Sequence, residues 1–456
     1  MKKILVLGAG QSSPFLIHRL LQLAETRDWK IIVGDLDLEM AESRVAGHEK
    51  GEAIRFDVTE GEMREAAITN CDMVINMLSP RFLDLIAGEC VTYGKSMFSV
   101  SYRTRAMREM DHDARRKGLL MLCELGLDPG IDHMSAMALI ERKRAEGGRI
   151  MSFCSYGSGV PALECIDNPL GYAVTWNPRN VVMAAETGAQ YMEENNIKCV
   201  SWQQVFHHTW LLDVPGVGKM EAYPNRDSLS YMKSFGIEDV HTMIRGTLRH
   251  TGWSETWSCL VRLGLPNEHL EIPNLQERTY REVVEMFLPL NLERGTELVP
   301  RLARVLHISP TGKIMENLRW LGLLSDEKVQ CEGNTAASML IAMIQRKMPL
   351  RKDKYDMVVL LHRVEVEYDD RPDEHIISCM VHKGEAGGFS AMAQTVGLPV
   401  VIATRMFLDG ELDLTGVHIP LHPSIYKPQL AELATEGIVF EEIVRPLAEV
   451  DSRAGR

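Results

Sequence analysis

Two glycines set one residue apart, in Gly8-Ala9-Gly10, are the first residues whose spacing points to chemistry. They follow a short apolar run at 3–7 and precede apolar positions at helical spacing: Phe15, Leu16, Leu20, Leu21 and Leu23. A tight glycine turn lets the backbone approach a pyrophosphate, and the helix N-terminus behind it offers free N–H groups and a favourable dipole. Asp35 closes the second apolar run, 25 residues beyond Gly10. A dinucleotide fold places an acidic residue at a spacing of roughly 20. That carboxylate can accept hydrogen bonds from both ribose hydroxyls and repels a 2′-phosphate. The pattern therefore predicts NAD(H) as cofactor, with NADP as the alternative. Asp37 is a rival for the same role. The third glycine of the usual fingerprint is absent, with Ser13 and Pro14 near its place, so an ordinary strand-to-helix turn is the bland reading. Gly8, Gly10, Gln11, Ser12 and Asp35 are the candidate cofactor contacts. Asp57-Val58 and Met77-Leu78 end the third and fourth runs, where strand C-termini face a ligand. Asp57 either contacts the adenine or caps a helix over 60–68.

A second group of residues lies further on. Glu124-Leu125-Gly126-Leu127-Asp128-Pro129-Gly130-Ile131-Asp132-His133 is followed by Ser155-Tyr156, Gly159-Val160-Pro161-Ala162 and Asp167-Asn168-Pro169-Leu170-Gly171-Tyr172. Then come Ala222-Tyr223-Pro224-Asn225-Arg226-Asp227-Ser228, Arg245-Gly246-Thr247-Leu248-Arg249, Leu318-Arg319-Trp320-Leu321-Gly322 and Gly388-Phe389-Ser390-Ala391-Met392-Ala393. In this order the blocks resemble the saccharopine dehydrogenase family, in particular its glutamate-forming branch. The resemblance covers essentially the whole chain.

The resemblance implies an oxidoreductase of lysine metabolism. 2-Aminoadipate 6-semialdehyde and L-glutamate condense to an imine, and a reduced nicotinamide delivers hydride to give saccharopine; the reverse reaction oxidises saccharopine. It also implies substrate contacts at Ser101, Tyr102, Trp176, Thr247 and Leu248, and contacts near the nicotinamide at Leu127, Asp128 and Pro129. Saccharopine carries three carboxylates, so its site needs fixed cations. Arg226 and Arg249 suit them, because a guanidinium binds a carboxylate in bidentate fashion; each could instead be a surface ion pair. Trp176 is an apolar wall or indole N–H donor, or else a core aromatic. Tyr102 and Asp128 are the nearest acid–base candidates, although Asp-Pro-Gly is also strong turn chemistry. His133 reads as a capping or packing residue. Gly157 stands where fungal relatives carry a cysteine, so a catalytic thiol is not expected at that place. Those relatives also carry a basic residue near the Asp35 position.

These residues need a scaffold. Apolar runs at 3–7, 31–33, 53–56, 73–77, 97–100 and 119–122 alternate with helix-like segments at 13–26, 38–45, 82–93 and 104–117, which reads as βαβ units and a parallel sheet. The expected class is α/β: a Rossmann-type doubly wound sheet over 1–125, an inserted α+β substrate and dimerisation domain over 126–387, and a C-terminal segment, 388–456, that returns to the first domain. Within the insert, 131–146 reads as a helix, 150–156, 357–368 and 374–382 as strands, and 276–350 as mostly helical. Near the end, a helix at 390–396, a separate apolar run at 398–403 and a strand at 438–444 are expected.

Composition bounds the partners. The formal net charge of −13 argues against general nucleic-acid or anionic-membrane binding. No stretch approaches 18 uninterrupted apolar residues, so no membrane span is expected. Nine scattered cysteines without a CxxC pair fit reduced thiols of the cytoplasm, with no metal site. A homodimer is the expected assembly. Two other functions compete: a related imine-reducing enzyme for another amine–aldehyde pair, of the carboxyspermidine type, and a non-catalytic NAD-binding protein.

Overall fold

The computed structural model describes residues 1–289 and 297–449. The chain forms two compact units, one of residues 1–149 and 380–441, the other of 150–379 and 442 onward. In the first unit, strands β1 (Lys2–Leu7), β2 (Trp29–Asp35), β3 (Gly51–Arg55), β4 (Met73–Asn76), β5 (Ser96–Ser99) and β6 (Leu120–Leu122) alternate with helices. The helices are α1 (Pro14–Thr26), α2 (Leu38–Val45), α3 (Gly61–Thr69), α4 (Leu83–Tyr93), α5 (Arg105–Glu109) and α6 (Asp111–Arg116), and α7 (Ile131–Ala145) follows β6. Ile4, Leu5, Val6 and Leu7 are all fully buried. Both faces of this strand are covered, the condition under which parallel sheets occur.

The second unit contains β7 (Arg149–Pro161), β8 (Ala189–Glu193), β9 (Asn196–Val200), β10 (Trp210–Val214), β11 (Gly218–Pro224), β12 (Arg226–Asp227), β13 (Thr242–Arg249), β14 (Asp356–Glu367) and most of β15 (Glu374–Lys383). Its helices are α8 (Pro178–Val182), α9 (Leu229–Phe235), α10 (Trp253–Leu263), α11 (Tyr280–Met286), α12 (Leu298–Leu306), α13 (Lys313–Leu321) and α14 (Ala336–Lys347). The chain then returns to the first unit through α15 (Ala391–Leu408), β16 (Gly416–His418) and α16 (Pro423–Thr435), and ends in β17 (Glu441–Pro446).

The first sheet has the order β16-β6-β5-β4-β1-β2-β3, with every pair parallel. Strand order reverses on either side of β1, where doubly wound sheets bind ligands. The second sheet runs β10-β11-β13-β7-β14-β15-β17, with β8, β9 and β12 off this path. It mixes parallel β13–β7 and antiparallel β11–β13 pairs. The fold is thus the expected α/β sheet with a second α+β unit.

Three element expectations change. Helix α7 stays with the first unit, because it packs on α16 and Glu141 accepts from the Tyr426 hydroxyl there. By compactness the two units divide at 149/150, so α7, expected in the insert that begins at 126, packs with the first unit. The terminal strand joins the second sheet beside β15, while residues 450–456 and 290–296 of the expected segments lie outside the described residues. The helix at 390–396 and the run at 398–403 are one helix, α15, passing through Gly397 and Pro399. By length and composition α15 could cross a membrane, yet 72% of it is buried inside the protein. It is a core helix: at Gly397 a Cβ would stand 3.0 Å from the Leu16 nitrogen of α1. That close approach explains a glycine inside an otherwise apolar helix.

Candidate active site

The glycine turn is tied down from both sides. Gly8 N donates to Gly34 O at 2.8 Å. Gly8 has φ +103°, and a Cβ there would lie 3.0 Å from the Met77 carbonyl carbon, so only glycine fits. At Gly10 an added Cβ would meet nothing within 4 Å, which leaves the turn open where a pyrophosphate approaches. Asp35 Oδ2 accepts from Ala9 N at 2.7 Å and Oδ1 from Asp37 N at 3.0 Å. Arg44 Nε, from the last turn of α2, donates to Ala9 O at 3.1 Å. Burial lowers the Arg44 pKa and the Asp35 charge opposes that shift. The sequence reading missed Arg44; its signal was a lone arginine one helix after the acidic strand end. Asp37 is not the ribose carboxylate but the N-cap of α2, accepting from Met40 N at 3.1 Å. Gln11 is exposed and Ser12 half-buried beside the turn. These residues fit a dinucleotide.

Asp57 does not cap α3, whose N-cap position is Glu60. Its Oδ1 accepts from Thr59 N (2.9 Å) and Thr59 Oγ1 (2.7 Å), a local turn that lowers its pKa. Val58 turns its side chain into the core, and its carbonyl accepts from Arg64. Met77 N donates to Leu7 O, and Leu78 N to Asn76 Oδ1.

After β5, Ser101 is buried and Tyr102 half-buried. The Tyr102 hydroxyl donates to Asp128 Oδ1 at 3.4 Å, so the two acid–base candidates meet. The loop 126–132 bonds to itself: Gly126 N to Pro129 O (2.9 Å), Ile131 N to Gly126 O (2.9 Å), and Asp132 N to Leu127 O (3.1 Å). Leu127 and Pro129 are buried and Asp128 is half-buried, joined to Pro129 by a cis peptide. Behind this loop sits a group that the sequence reading took for packing. His133 is wholly buried, with Nε2 2.7 Å from Glu124 Oε2 and Nδ1 3.1 Å from Asp132 Oδ2. Burial disfavours its charged form, yet the two carboxylates prevail and raise its pKa to about 9. The available signal was Asp132 directly before His133, with Glu124 nine residues earlier.

The second unit holds the expected cations. Arg249, at the end of β13, is 5% exposed. Its Nη1 donates to Leu248 O at 2.9 Å and its Nε has no protein partner. Among the described residues no carboxylate lies at ion-pair distance from it. Even Glu221, opposite in the β11–β13 register, does not pair with it. Aromatic rings enclose the guanidinium instead: Tyr172 at 5.2 Å, Trp253 at 5.8 Å and Tyr223 at 5.9 Å from Cζ to ring centroid. Leu248 is fully buried, and its carbonyl accepts from Ser158 and Arg249. It supports Arg249 and is not itself a surface for substrate. Thr247, half-buried, stands opposite Tyr223 and Gly157 in register. The Trp176 Nε1 donates to the Tyr172 hydroxyl at 2.8 Å, so the indole N–H is committed and the ring remains as a wall. Arg226 is exposed at φ +55°, a conformation costly for a side-chain-bearing residue. Its loop is fixed by Ser228 Oγ, which accepts from Arg245 N (2.8 Å), and by Asp227 Oδ1, which accepts from Gln190 Nε2 (2.9 Å). Among the described residues no cluster of metal-ligating side chains occurs.

Two family models, described as saccharopine dehydrogenase NADP binding domain and saccharopine dehydrogenase C-terminal domain, match residues 4–122 and 126–438. The chain belongs to the saccharopine dehydrogenase family. Similar curated members include saccharopine dehydrogenase [NADP(+), L-glutamate-forming] of Saccharomyces cerevisiae, 32% identical over 97% of this chain and 99% of the yeast protein. The mitochondrial alpha-aminoadipic semialdehyde synthase of Bos taurus is 32% identical over 96% of this chain, but only 47% of that protein is matched. The apo structure of the yeast L-Glu-forming saccharopine dehydrogenase superposes with a TM-score of 0.83 at 30% identity, over 98% of this chain and 100% of that one. A homospermidine synthase from Legionella pneumophila, at 9% identity and TM-score 0.55, shares the fold alone.

Proposed function

We propose that this saccharopine dehydrogenase family member interconverts saccharopine with L-glutamate and 2-aminoadipate 6-semialdehyde. In the oxidative direction, saccharopine, water and an oxidised nicotinamide give glutamate, the semialdehyde, a reduced nicotinamide and a proton. The observation that carries this reading is Arg249, a buried guanidinium in an aromatic enclosure with no acidic partner among the described residues. A buried charge without a partner is costly, and a substrate carboxylate offsets that cost. A polyamine-forming relative would need carboxylates at such a place.

The bound nicotinamide supplies the hydride acceptor. The turn at Gly10 lies open to its pyrophosphate, with Asp35 and Arg44 fixing that turn by holding Ala9 through its N–H and C=O. Arg226 and Arg249 bind substrate carboxylates, and the Trp176 ring shields the chain between them. Tyr102 and Asp128 hold and move the proton that leaves the secondary amine and that water later loses. Gly157 offers no thiol for that task.

The L-glutamate-forming relatives and the family model over residues 4–122 are named for NADP. In this chain a carboxylate, Asp35, ends β2. We infer a preference for NAD(H), since a 2′-phosphate beside that carboxylate would be repelled. Assay of the purified protein with L-saccharopine and NAD or NADP at mildly alkaline pH tests both parts. Rapid NADH formation with release of glutamate is the expected result. NADP-only turnover would keep the reaction and reject the role of Asp35. In Asp35→Ser the kcat/KM ratio of NAD to NADP should fall about tenfold, the loss of roughly one charge-assisted hydrogen bond. We further propose a homodimer working among the reduced thiols of the cytoplasm, for which light scattering of the eluted protein gives the assembly mass.

A further inference from the structure

We propose that His133 is a positioning residue: as an imidazolium between Glu124 and Asp132 it fixes the loops that carry Tyr102 and Asp128. This rests on the reaction proposed above. The geometry runs from one loop to the other through three side chains. Glu124 Oε1 accepts from Arg103 N at 3.0 Å, one residue after Tyr102. Glu124 Oε2 meets His133 Nε2 at 2.7 Å. His133 Nδ1 faces Asp132 Oδ2 at 3.1 Å. Asp132 Oδ1 accepts from Gly130 N at 2.6 Å, two residues after Asp128. Each carboxylate thus spends one oxygen on a backbone N–H of a catalytic loop and the other on the imidazole. Glu124 also sits at φ +57°, a strained conformation that persists only where surrounding contacts over-determine it. Its backbone is held too, with Glu124 N donating to Ser101 O at 3.0 Å.

The charge state supports the geometry. All three side chains are buried. With His133 neutral, the two buried carboxylates would lose the positive charge that stands between them, which is costly in a dry site. Its pKa, raised to about 9 by these two groups, agrees. Where α16 packs on α7, the Tyr426 hydroxyl donates to Glu141, eight positions and so about two turns further along α7 than His133. Arg103 reaches the bracket through its backbone N–H.

The tests are His133→Gln, Glu124→Gln and a cycle combining His133→Gln with Tyr102→Phe, each assayed with saccharopine after cofactor binding is verified by NADH fluorescence. His133→Gln should lower kcat about 10- to 100-fold, the range expected when a catalytic group is displaced by up to an ångström, with KM for the cofactor unchanged. In the cycle the second loss should be much smaller than the first, because both changes disable one pair. The two Gln variants should move the acid limb of the kcat/KM profile oppositely: upward when the cation is removed, downward when the carboxylate is removed. Additive losses, or an unmoved profile in both variants, would overturn the proposal. Should His133→Gln not bind cofactor, Asp132→Asn takes its place in the cycle with the same expectations. A wild-type chain inactive on saccharopine would instead defeat the underlying functional reading.

Discussion

Two buried cations, His133 and Arg249, sit in opposite electrostatic situations. His133 is flanked by two carboxylates that are themselves anchored to backbone N–H groups. Arg249 is flanked by three aromatic rings and finds no carboxylate among the described residues. A cation whose partners are built into the protein is electrostatically complete, and its work is to hold shape. A cation whose one hydrogen-bond acceptor among the described residues is the Leu248 carbonyl remains able to bind an anion that arrives from outside. Burial alone does not separate a structural charge from a substrate-binding one; the inventory of partners does.

Replacing the open cation should have the largest effect. Arg249→Met should raise KM for saccharopine by about a thousandfold, the equivalent of roughly 4 kcal/mol for removing one member of a buried charge pair, with NAD(H) affinity unchanged. An unchanged KM would break the comparison. Arg249→Lys should recover only part of the loss, leaving KM about tenfold above wild type, because an ammonium cannot engage a carboxylate through two parallel bonds. Steady-state kinetics over a wide saccharopine range reads both.

The enclosed cation should show itself in stability instead. The folded pKa of His133 lies above its ordinary value of 6.5, at about 9. Its contribution is therefore fully present below pH 6.5 and is lost as pH rises through about 9. Thermal melting of the wild type should decline by a few degrees across that window relative to His133→Gln. His375 supplies the opposite sign and the smallest effect. Burial, and then Arg363 and Arg445, lower its pKa to about 4. The stability it leaves intact above pH 6.5 is lost as pH falls toward 4, and His375→Gln should flatten that acid slope.

What could be read from the chain follows the range of the interactions. The glycine turn, the Asp35 strand end and the alternating runs of the parallel sheet are local patterns, and all appear in the fold. Helix α15 defied its own Gly397 and Pro399 because packing against α1 and deep burial outweigh local propensity. Strands β8 to β12 of the second sheet went unread because they are short, at most seven residues long, and carry little periodicity to read. At the site, Tyr102 and Asp128 were named and do meet. The Trp176 N–H and the Leu248 carbonyl are committed within the protein, to the Tyr172 hydroxyl and to Ser158 and Arg249, partners that are not visible in spacing. Arg44 and the His133 bracket depend on loops brought together only by the fold.

The return of the chain after residue 380 sets an order of events during synthesis. Helix α15 lies against α1, the helix behind the glycine turn, and β16 completes the edge of the first sheet beside β6. More than 200 residues separate α7 from α15. At a ribosomal pace of roughly 5–20 residues per second, the cofactor-binding half therefore waits on the order of 10–50 s for its last helices. Over that interval α1 has an uncovered apolar side, and the inserted unit has already emerged. A nascent chain halted before residue 390 has the glycine turn in its sequence without the helix that buttresses it.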